Sequence, residues 1–270
     1  MSNCQIINVT SDNLDDLNKL CVPKDKWEDA IFQEGFKLKK ECMRYQLKKF
    51  GEIAKLAIIN GAPVGMIQFL PNVKEQTIEI QCIFVPDEKH QRKGIAKALF
   101  HNLLESMKQP KVYFNHNTPL AFTTFAFEIP EQYPQHEFYQ KMGFKRINDD
   151  DDDDDPYSLY YPLKKDYIYQ SKISEKDFQA LPENKNKALI FLDPYCPFCY
   201  SFAKGYEQLI KEVKSDIPIE FYSIFSQKEE VVKRGGIVSD CIVNGKPINV
   251  FLSPKEPFLR EVKTALNIKE

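Results

Sequence analysis

Two α/β domains are what the sequence predicts: a larger one on a mixed sheet with flanking helices, residues 1–165, and a smaller one, residues 166–270. Three observations predict them. A chain of 270 residues is long for one core and comfortable for two. Strand-like and helix-like stretches alternate through the first half, the order that builds a sheet covered by helices. After Tyr160-Tyr161-Pro162-Leu163-Lys164-Lys165 the alternation starts afresh, and the second half does not repeat the first.

Residues 5–9, QIINV, read as a short strand, and TSDNLDDLNKL after it offers Ser and Asp capping candidates with leucines at helical spacing. A second helix spans roughly Lys26 to Lys48, with Trp27, Ile31, Phe36 and Met43 among its apolar positions. LAIINGAPVGMIQF sets two apolar runs around Asn60-Gly61, the strongest short-range hairpin signal. In QTIEIQCIFV, Ile78, Ile80, Cys82 and Phe84 alternate with Glu79, Gln81, Ile83 and Val85. That is a third strand, apolar on both faces at its end and therefore interior to the sheet. Pro86 stops it, and DEKHQRKG intervenes before Ile95, Leu99, Leu103 and Met107 form a helical stripe that Pro110 closes. LAFTTFAFE (120–128) is another strand, PQHEFYQKMGF a short helix ending at Gly143, and YSLYYPL the last strand of this half.

Between that helix and that strand lie seven consecutive aspartates, Asp149–Asp155. Like charges at that density repel, so a solvated loop is expected; a calcium or magnesium site would need the glycine and alternating ligands of a calcium loop, which the run lacks. In the second half SEKDFQALPENKNK is polar, ALIFLD (188–193) is a buried-type strand, and PYCPFCYSFAKGYEQLIKEV leads into a helix. The strand IPIEFYSI, a short helix SQKEEVVKR ending at Gly235-Gly236, a second Asn-Gly hairpin in DCIVNGKPINVFL and a terminal helix PFLREVKTAL complete the order β-α-β-α-β-β-α.

Composition excludes several classes. With 37 basic against 39 acidic side chains the net charge is −2, and no broad positive field is available for a nucleic-acid backbone. No run approaches the ~18 apolar residues of a membrane span. The N-terminus, MSNCQIINVTSDNLDD, is polar and acidic where a secretory signal needs an apolar core, so a cytoplasmic protein is expected. The seven cysteines are odd in number and scattered, a poor disulfide framework and ordinary usage for a reducing compartment. Cys196 and Cys199 alone are spaced as a motif. No metal is expected: a four-ligand zinc site would need two more ligands, and the second half adds Cys241 and no histidine, since His90, His101, His116 and His136 all lie in the first.

HQRKGIAKALF (90–100) carries the first chemistry. A helix start leaves backbone N–H groups unpaired and partly positive, so it binds phosphate well if the chain approaches closely. Gly94 and Ala96 are small where closeness is required, Arg92 and Lys93 add charge, and Gln91 adds a neutral donor. Six residues of that kind also describe a basic loop before a surface helix. In their context, between a strand and a helix, they resemble the acetyl-coenzyme A loop of the GCN5-related N-acetyltransferases (GNAT), Q/R-x-x-G-x-G/A, which Gln91, Arg92, Lys93, Gly94, Ile95 and Ala96 fit throughout. IQCIFVPDEKH is similar to that family's central strand and turn, and EFYQKMGF to its later aromatic and Gly-Phe motif. The resemblance covers roughly residues 3–164, with its elements in order.

That resemblance implies a GNAT-type mixed sheet and acetyl-coenzyme A as cosubstrate. It implies that backbone N–H groups from Gln91 to Ala96 hold the pyrophosphate. It also implies that the backbone of Ile83, Phe84 and Val85, splayed from the neighbouring strand, pairs with the pantetheine arm. Tyr139 matches the family's tyrosine, which can protonate the departing thiolate; read by itself it is equally a packing aromatic on a short helix. An amine nucleophile must also lose a proton. Glu79, on the strand beside the cofactor, is the candidate base, directly or through water, and equally a solvated strand glutamate.

DPYCPFCYSF places Cys196 just beyond a buried strand and Cys199 in the first turn of a helix. A helix N-terminus stabilises a thiolate, and Cys-x-x-Cys lets one thiol resolve a mixed disulfide formed by the other. The motif and the element order of residues 185–270 resemble thioredoxin and glutaredoxin. One departure is that thioredoxins place a cis-proline just before the third strand, where this chain has Gly236, Ile237 and Val238. A redox or thiol-sensing pair and a structural pair of small cysteines both stay open. The tandem order resembles the bacterial YoaP-type acetyltransferases.

The predicted function is therefore an N-acetyltransferase moving an acetyl group from acetyl-coenzyme A to an amine of a small molecule or peptide, in a ternary complex. The alternatives are a thiol–disulfide oxidoreductase or thiol sensor acting through Cys196 and Cys199, with the first domain merely binding coenzyme A, and a noncatalytic acyl-coenzyme A binder. The residue pattern names the donor; it carries no code for the acceptor or for the number of subunits.

Overall fold

A computed structural model describes residues 4–126, 133–147, 157–170, 178–236 and 239–268. The aspartate run, and Ile237 and Val238, lie outside the described residues. The chain divides into two compact units: Met1–Pro23 with Met43–Ser171, and Lys24–Cys42 with Lys172–Glu270. A boundary at 165/166 would leave all of the second helix in the first unit. By its contacts, the first half of that helix groups with the second unit instead, for reasons of packing given below.

The first unit contains β1 (Gln5–Asn8), α1 (Leu14–Cys21), the end of α2 (Ala30–Phe50), β2 (Ala54–Ile59), β3 (Ala62–Asn72) and β4 (Thr77–Phe84). It continues with α3 (Ile95–Met107), β5 (Ala121–Phe125), α4 (Gln135–Lys141), β6 (Lys145–Arg146) and β7 (Ser158–Pro162). The sheet order is β1-β2-β3-β4-β5-β7-β6, antiparallel except for the β4–β5 pair, so β4 is interior. Asn60 and Gly61 have φ of 52° and 77°, both left-handed, as a tight hairpin between β2 and β3 requires. Two-residue β6 is too short to leave a periodic trace in the sequence.

One face of this sheet packs on α3. Ile95, Leu99, Leu103 and Met107 are all buried there against Ile67, Phe69, Ile78, Ile80 and Ile83. Ile80 and Ile83 sit at odd spacing, which on a regular strand would put them on opposite faces. They share a face because Phe69 pairs with Ile80 and Gln68 with Cys82, leaving Gln81 as the extra residue of a β-bulge. The simple alternation expected along β4 therefore breaks at Gln81, and Ile83 turns into the core.

The second unit contains β8 (Ala188–Leu192), α5 (Cys199–Val213), β9 (Ile219–Ser223), α6 (Lys228–Val232), β10 (Cys241–Val243), β11 (Lys246–Ile248) and α7 (Lys255–Ala265). Its sheet order is β11-β10-β8-β9, with β8 and β9 parallel and the other pairs antiparallel. Ala188, Ile190 and Leu192 face α5 and α7, while Leu189 and Phe191 join Ile242, Tyr222 and Val231 on the other side. Burial on both faces explains the unbroken apolar run ALIFL. On the second face Arg234 is fully buried, bonded to Glu230 (2.9 Å) and Asn184 (3.3 Å) with its guanidinium over the Phe191 and Tyr222 rings.

The first half of α2 completes this unit. Leu38 joins the core formed by α5 and α7. The Phe32 ring meets Phe198 edge-on at 5.2 Å between centroids. Gly35 lies so close to Pro197 that a Cβ there would stand 2.1 Å from the Pro197 carbonyl oxygen.

Candidate active site

In the first unit β4 and β5 run side by side for four residues, Thr77–Ile80 against Ala121–Thr124, and then part. Beyond the Ile80–Thr124 pair, Gln81–Phe84 keep their ladder to β3, and among the described residues no strand pairs with their other edge. The bulge at Gln81 starts at the same point, where it bends β4. An open edge of an interior strand offers backbone donors and acceptors to an extended ligand. Ile83 and Phe84 lie on it, and Val85 follows directly.

The open edge leads to the glycine loop. Asp87 caps a single turn, Glu88–His90, by accepting from the Lys89 N–H at 3.0 Å. Gln91 N–H then bonds the Glu88 carbonyl at 3.1 Å, and the Gln91 side-chain amide donates to the Val85 carbonyl at 3.1 Å. This last contact ties the loop to the end of β4; sequence reasoning assigned Gln91 a ligand-facing backbone and missed the bracing role of its side chain. Arg92 and Gly94 adopt left-handed φ of 57° and 80°. The first helical bond of α3 runs from Ala98 N–H to the Gly94 carbonyl, so the N–H groups of Ile95, Ala96 and Lys97 precede the ladder. Gly94 has no side chain to cap them and nothing within 4 Å of its Cβ position. Gln91, Arg92, Lys93 and Gly94 are exposed, Ala96 is half-buried, and Ile95 anchors the loop in the core. Gly65 on β3 allows that anchoring, since a Cβ there would lie 3.1 Å from both the Ile95 and Val85 methyls.

Tyr139 reaches the fork from the other side. It is buried among aromatic rings, with Phe144 at 4.9 Å between centroids, and its hydroxyl is hydrogen-bonded with Thr124. Thr124 in turn donates to the Ile80 carbonyl at 2.9 Å, so the last β4–β5 pair and the Tyr139 hydroxyl form one network. Burial pushes the phenol pKa well above its usual value, with Cys82 adding and the Thr124 bond opposing. Tyr139 is therefore a neutral, proton-bearing group.

Glu79 lies one residue before Ile80 and is exposed. It lines a cleft of about 200 Å³ with Asn72, Thr123, Thr124, Phe125 and Tyr169. Thr124 belongs both to this cleft and to the Tyr139 network. Beside the cleft, Glu75 accepts from the Tyr169 hydroxyl at 2.6 Å and from the Asn72 side-chain amide at 3.2 Å. Burial raises the Tyr169 pKa, and the carboxylates of Glu75 and Glu79 raise it further. The role of Glu75 and Tyr169 left no trace in the sequence, because neither belongs to a spaced motif.

In the second unit Cys199 is the first residue of α5 and is buried, whereas Cys196 is half-buried. The Cys199 thiol is pushed up to about 12, by burial first and then by Cys196 and Asp193; the Tyr200 N–H and Lys39 pull the other way. Asp193 accepts from the Tyr195 N–H at 3.0 Å and is itself raised by burial. A third cysteine, Cys42 of α2, sits against Tyr195 and is likewise pushed up to about 12, again mainly by burial. Lys39, one turn earlier, is fully buried beside the same groups. Phe32, Gly35, Lys39 and Cys42 recur every three or four residues, a helical face whose small and charged members hid it from a reading by hydropathy.

Among the described residues no helix is long and apolar enough to cross a membrane. Residues 52–146 match the family described as Acetyltransferase (GNAT) domain, a span that holds β4, the glycine loop, α3 and Tyr139. Among curated proteins none matches the chain. Solved structures similar to it include an acetyltransferase of the GNAT family from Staphylococcus aureus Mu50, 20% identical, covering 60% of this chain and 99% of that one at a TM-score of 0.44. A second is the PaiA N-acetyltransferase of Thermoplasma acidophilum in complex with coenzyme A, 17% identical, covering 59% and 99% at 0.42. A Pyrococcus horikoshii protein is 18% identical, and the match covers 54% of this chain and 44% of that one at 0.40.

Proposed function

We propose that this chain, whose residues 52–146 form a GNAT acetyltransferase domain, transfers an acetyl group from acetyl-coenzyme A to the amine of a small molecule or peptide. The observation that carries the proposal is the parting of β4 and β5 at the Ile80–Thr124 pair, in one hydrogen-bond network with the Tyr139 hydroxyl. One end of the exposed β4 edge meets the open start of α3, which suits a pyrophosphate; the other meets a proton donor.

The residues present fit the cosubstrate. The unladdered N–H groups of Ile95 and Ala96, with the backbone from Gln91 to Gly94, would hold its pyrophosphate, and Arg92 and Lys93 would add charge. The edge of Ile83, Phe84 and Val85 would bind its pantetheine arm as an added strand. When bound, acetyl-coenzyme A supplies the acetyl group as a thioester. Glu79 takes a proton from the acceptor ammonium, directly or through water, which frees the nitrogen lone pair to form the new C–N bond. As the C–S bond breaks, Tyr139 returns a proton to the sulfur, a task that suits an acid whose own pKa is high.

The β-α-β-α-β-β-α order of the second unit and its sheet order β11-β10-β8-β9 support a thioredoxin-like reading, and with it the likeness to YoaP-type acetyltransferases. The thiol–disulfide alternative draws no such support, because α2 lies on Pro197 and Phe198, between the two cysteines. All seven cysteines are free thiols, in keeping with a cytoplasmic setting. Calorimetric titration of coenzyme A, followed by thiol release from acetyl-coenzyme A over a panel of amines, tests the proposal. Saturable binding and amine-dependent release are expected; no coenzyme A binding would overturn it.

A further inference from the structure

The cleft beside Thr124 says more about the acceptor than that it is an amine. We infer that the acceptor is a dication, a primary amine with a second ammonium group a few carbons away, and that Glu75 holds the second charge. The inference rests on reading this cleft as the acceptor side of the proposed transferase.

Its basis is a mismatch of charge. Two carboxylates face one small space: Glu79 lines the cleft, and Glu75 is fixed beside it by Asn72 and Tyr169, both lining residues. Both donors to Glu75 are neutral, and among the described residues Glu75 forms no ion pair. No Lys or Arg lines the cleft. Both carboxylates act on the Tyr169 phenol, which places the two charges around one side chain.

A single ammonium would answer Glu79 alone and would lose its charge on giving up the proton. Glu75 would then stand in a partly desolvated site without a counter-charge, which is costly. A second ammonium that does not react removes that cost throughout the reaction. The geometry sorts the two ends: the reacting amine belongs beside Glu79 and Thr124, next to Tyr139, and the resting ammonium belongs at Glu75, in the turn that joins β3 to β4. The Phe125 ring, 57% exposed, and Tyr169 offer apolar surface to the methylenes between them. Tyr169 is a positioning residue, since its hydroxyl fixes the Glu75 carboxylate at 2.6 Å.

The test is calorimetric titration of the full chain with 1,4-diaminobutane and with 1-aminobutane, each with and without coenzyme A. The dication should bind about tenfold more tightly, as expected for one added, partly screened ion pair with several donors in place. Glu75→Gln, a change without loss of volume, should bring the two amines within about twofold and leave coenzyme A affinity unchanged. Tyr169→Phe should weaken the preference in part. Equal binding of the two amines by the wild-type protein, or a preference that survives Glu75→Gln, would overturn the inference. Failure of the transferase reading shows separately, as absent coenzyme A binding, and the diamine preference measured without coenzyme A then still decides this one.

Discussion

Removing one oxygen atom from Tyr139 separates its two possible roles. In Tyr139→Phe the ring keeps its place among Phe138, Phe144 and the rest of the core, and what is lost is the hydroxyl's bond with Thr124. A buried neutral hydrogen bond contributes about 1 kcal/mol, and Thr124 keeps its own bond to Ile80, so the loss of stability should not exceed that. If the phenol is the proton donor, kcat should fall by roughly 100-fold, the usual contribution of a positioned acid, with coenzyme A affinity unchanged. The pH profile sharpens the point. Burial raises the phenol pKa, so the wild-type enzyme should keep this proton, and its rate, well past the pH at which an ordinary tyrosine ionises. The assay is stopped-flow thiol release with the melting temperature as control. A variant with kcat within twofold of wild type and an unchanged melting temperature would refute the acid role and leave Tyr139 as packing.

Three further outcomes are expected. Gly35→Ala sets helix propensity, a gain of about 1 kcal/mol, against a Cβ 2.1 Å from a backbone oxygen that no rotamer can relieve, a cost of about 1–3 kcal/mol; a net loss should appear in the urea midpoint, and a more stable variant would contradict the packing described. Gln91→Ala removes the 3.1 Å brace to Val85 and should weaken coenzyme A binding several-fold in calorimetry while leaving the melting temperature within a degree or two. The thiols of Cys42 and Cys199 are pushed from 9.0 to about 12 in the folded chain, so the unfolded chain loses these protons first. Stability should therefore hold below pH 9 and decline above it, by roughly 1 kcal/mol per thiol at pH 10, and Cys42→Ala should flatten that slope in denaturant titrations.

What the sequence made legible was local. The Asn60-Gly61 hairpin, the stripe from Ile95 to Met107 and the glycine loop each depend on residues a few positions apart, and each stands where its pattern put it. The bulge at Gln81 was not legible, because an inserted residue changes the parity of a strand without changing its composition; Ile80 and Ile83 share a face only through pairing with Phe69 and Ile67. The Gln91 brace and the Tyr169–Glu75 bond join residues by three-dimensional contact, and no spacing rule reaches them. The assignment of α2 fails for a third reason. A helix shows which residues share a face but not which partner that face meets, and Gly35 and Lys39 look like solvent-side residues until Pro197 and Asp193 are beside them.

That helix also bears on how the chain is made. Gly35 meets Pro197 across 162 residues of sequence. At ribosomal rates of 5–20 residues per second, the segment from Lys24 to Cys42 emerges on the order of ten to thirty seconds before the sheet and α5 that receive it. During that interval Phe32 and Leu38 have no core to enter, while the strands of the first unit are being completed around the gap. The second unit is thus a late assembly with an early part, and a chain truncated after the first unit would carry a half-helix whose apolar face has no destination.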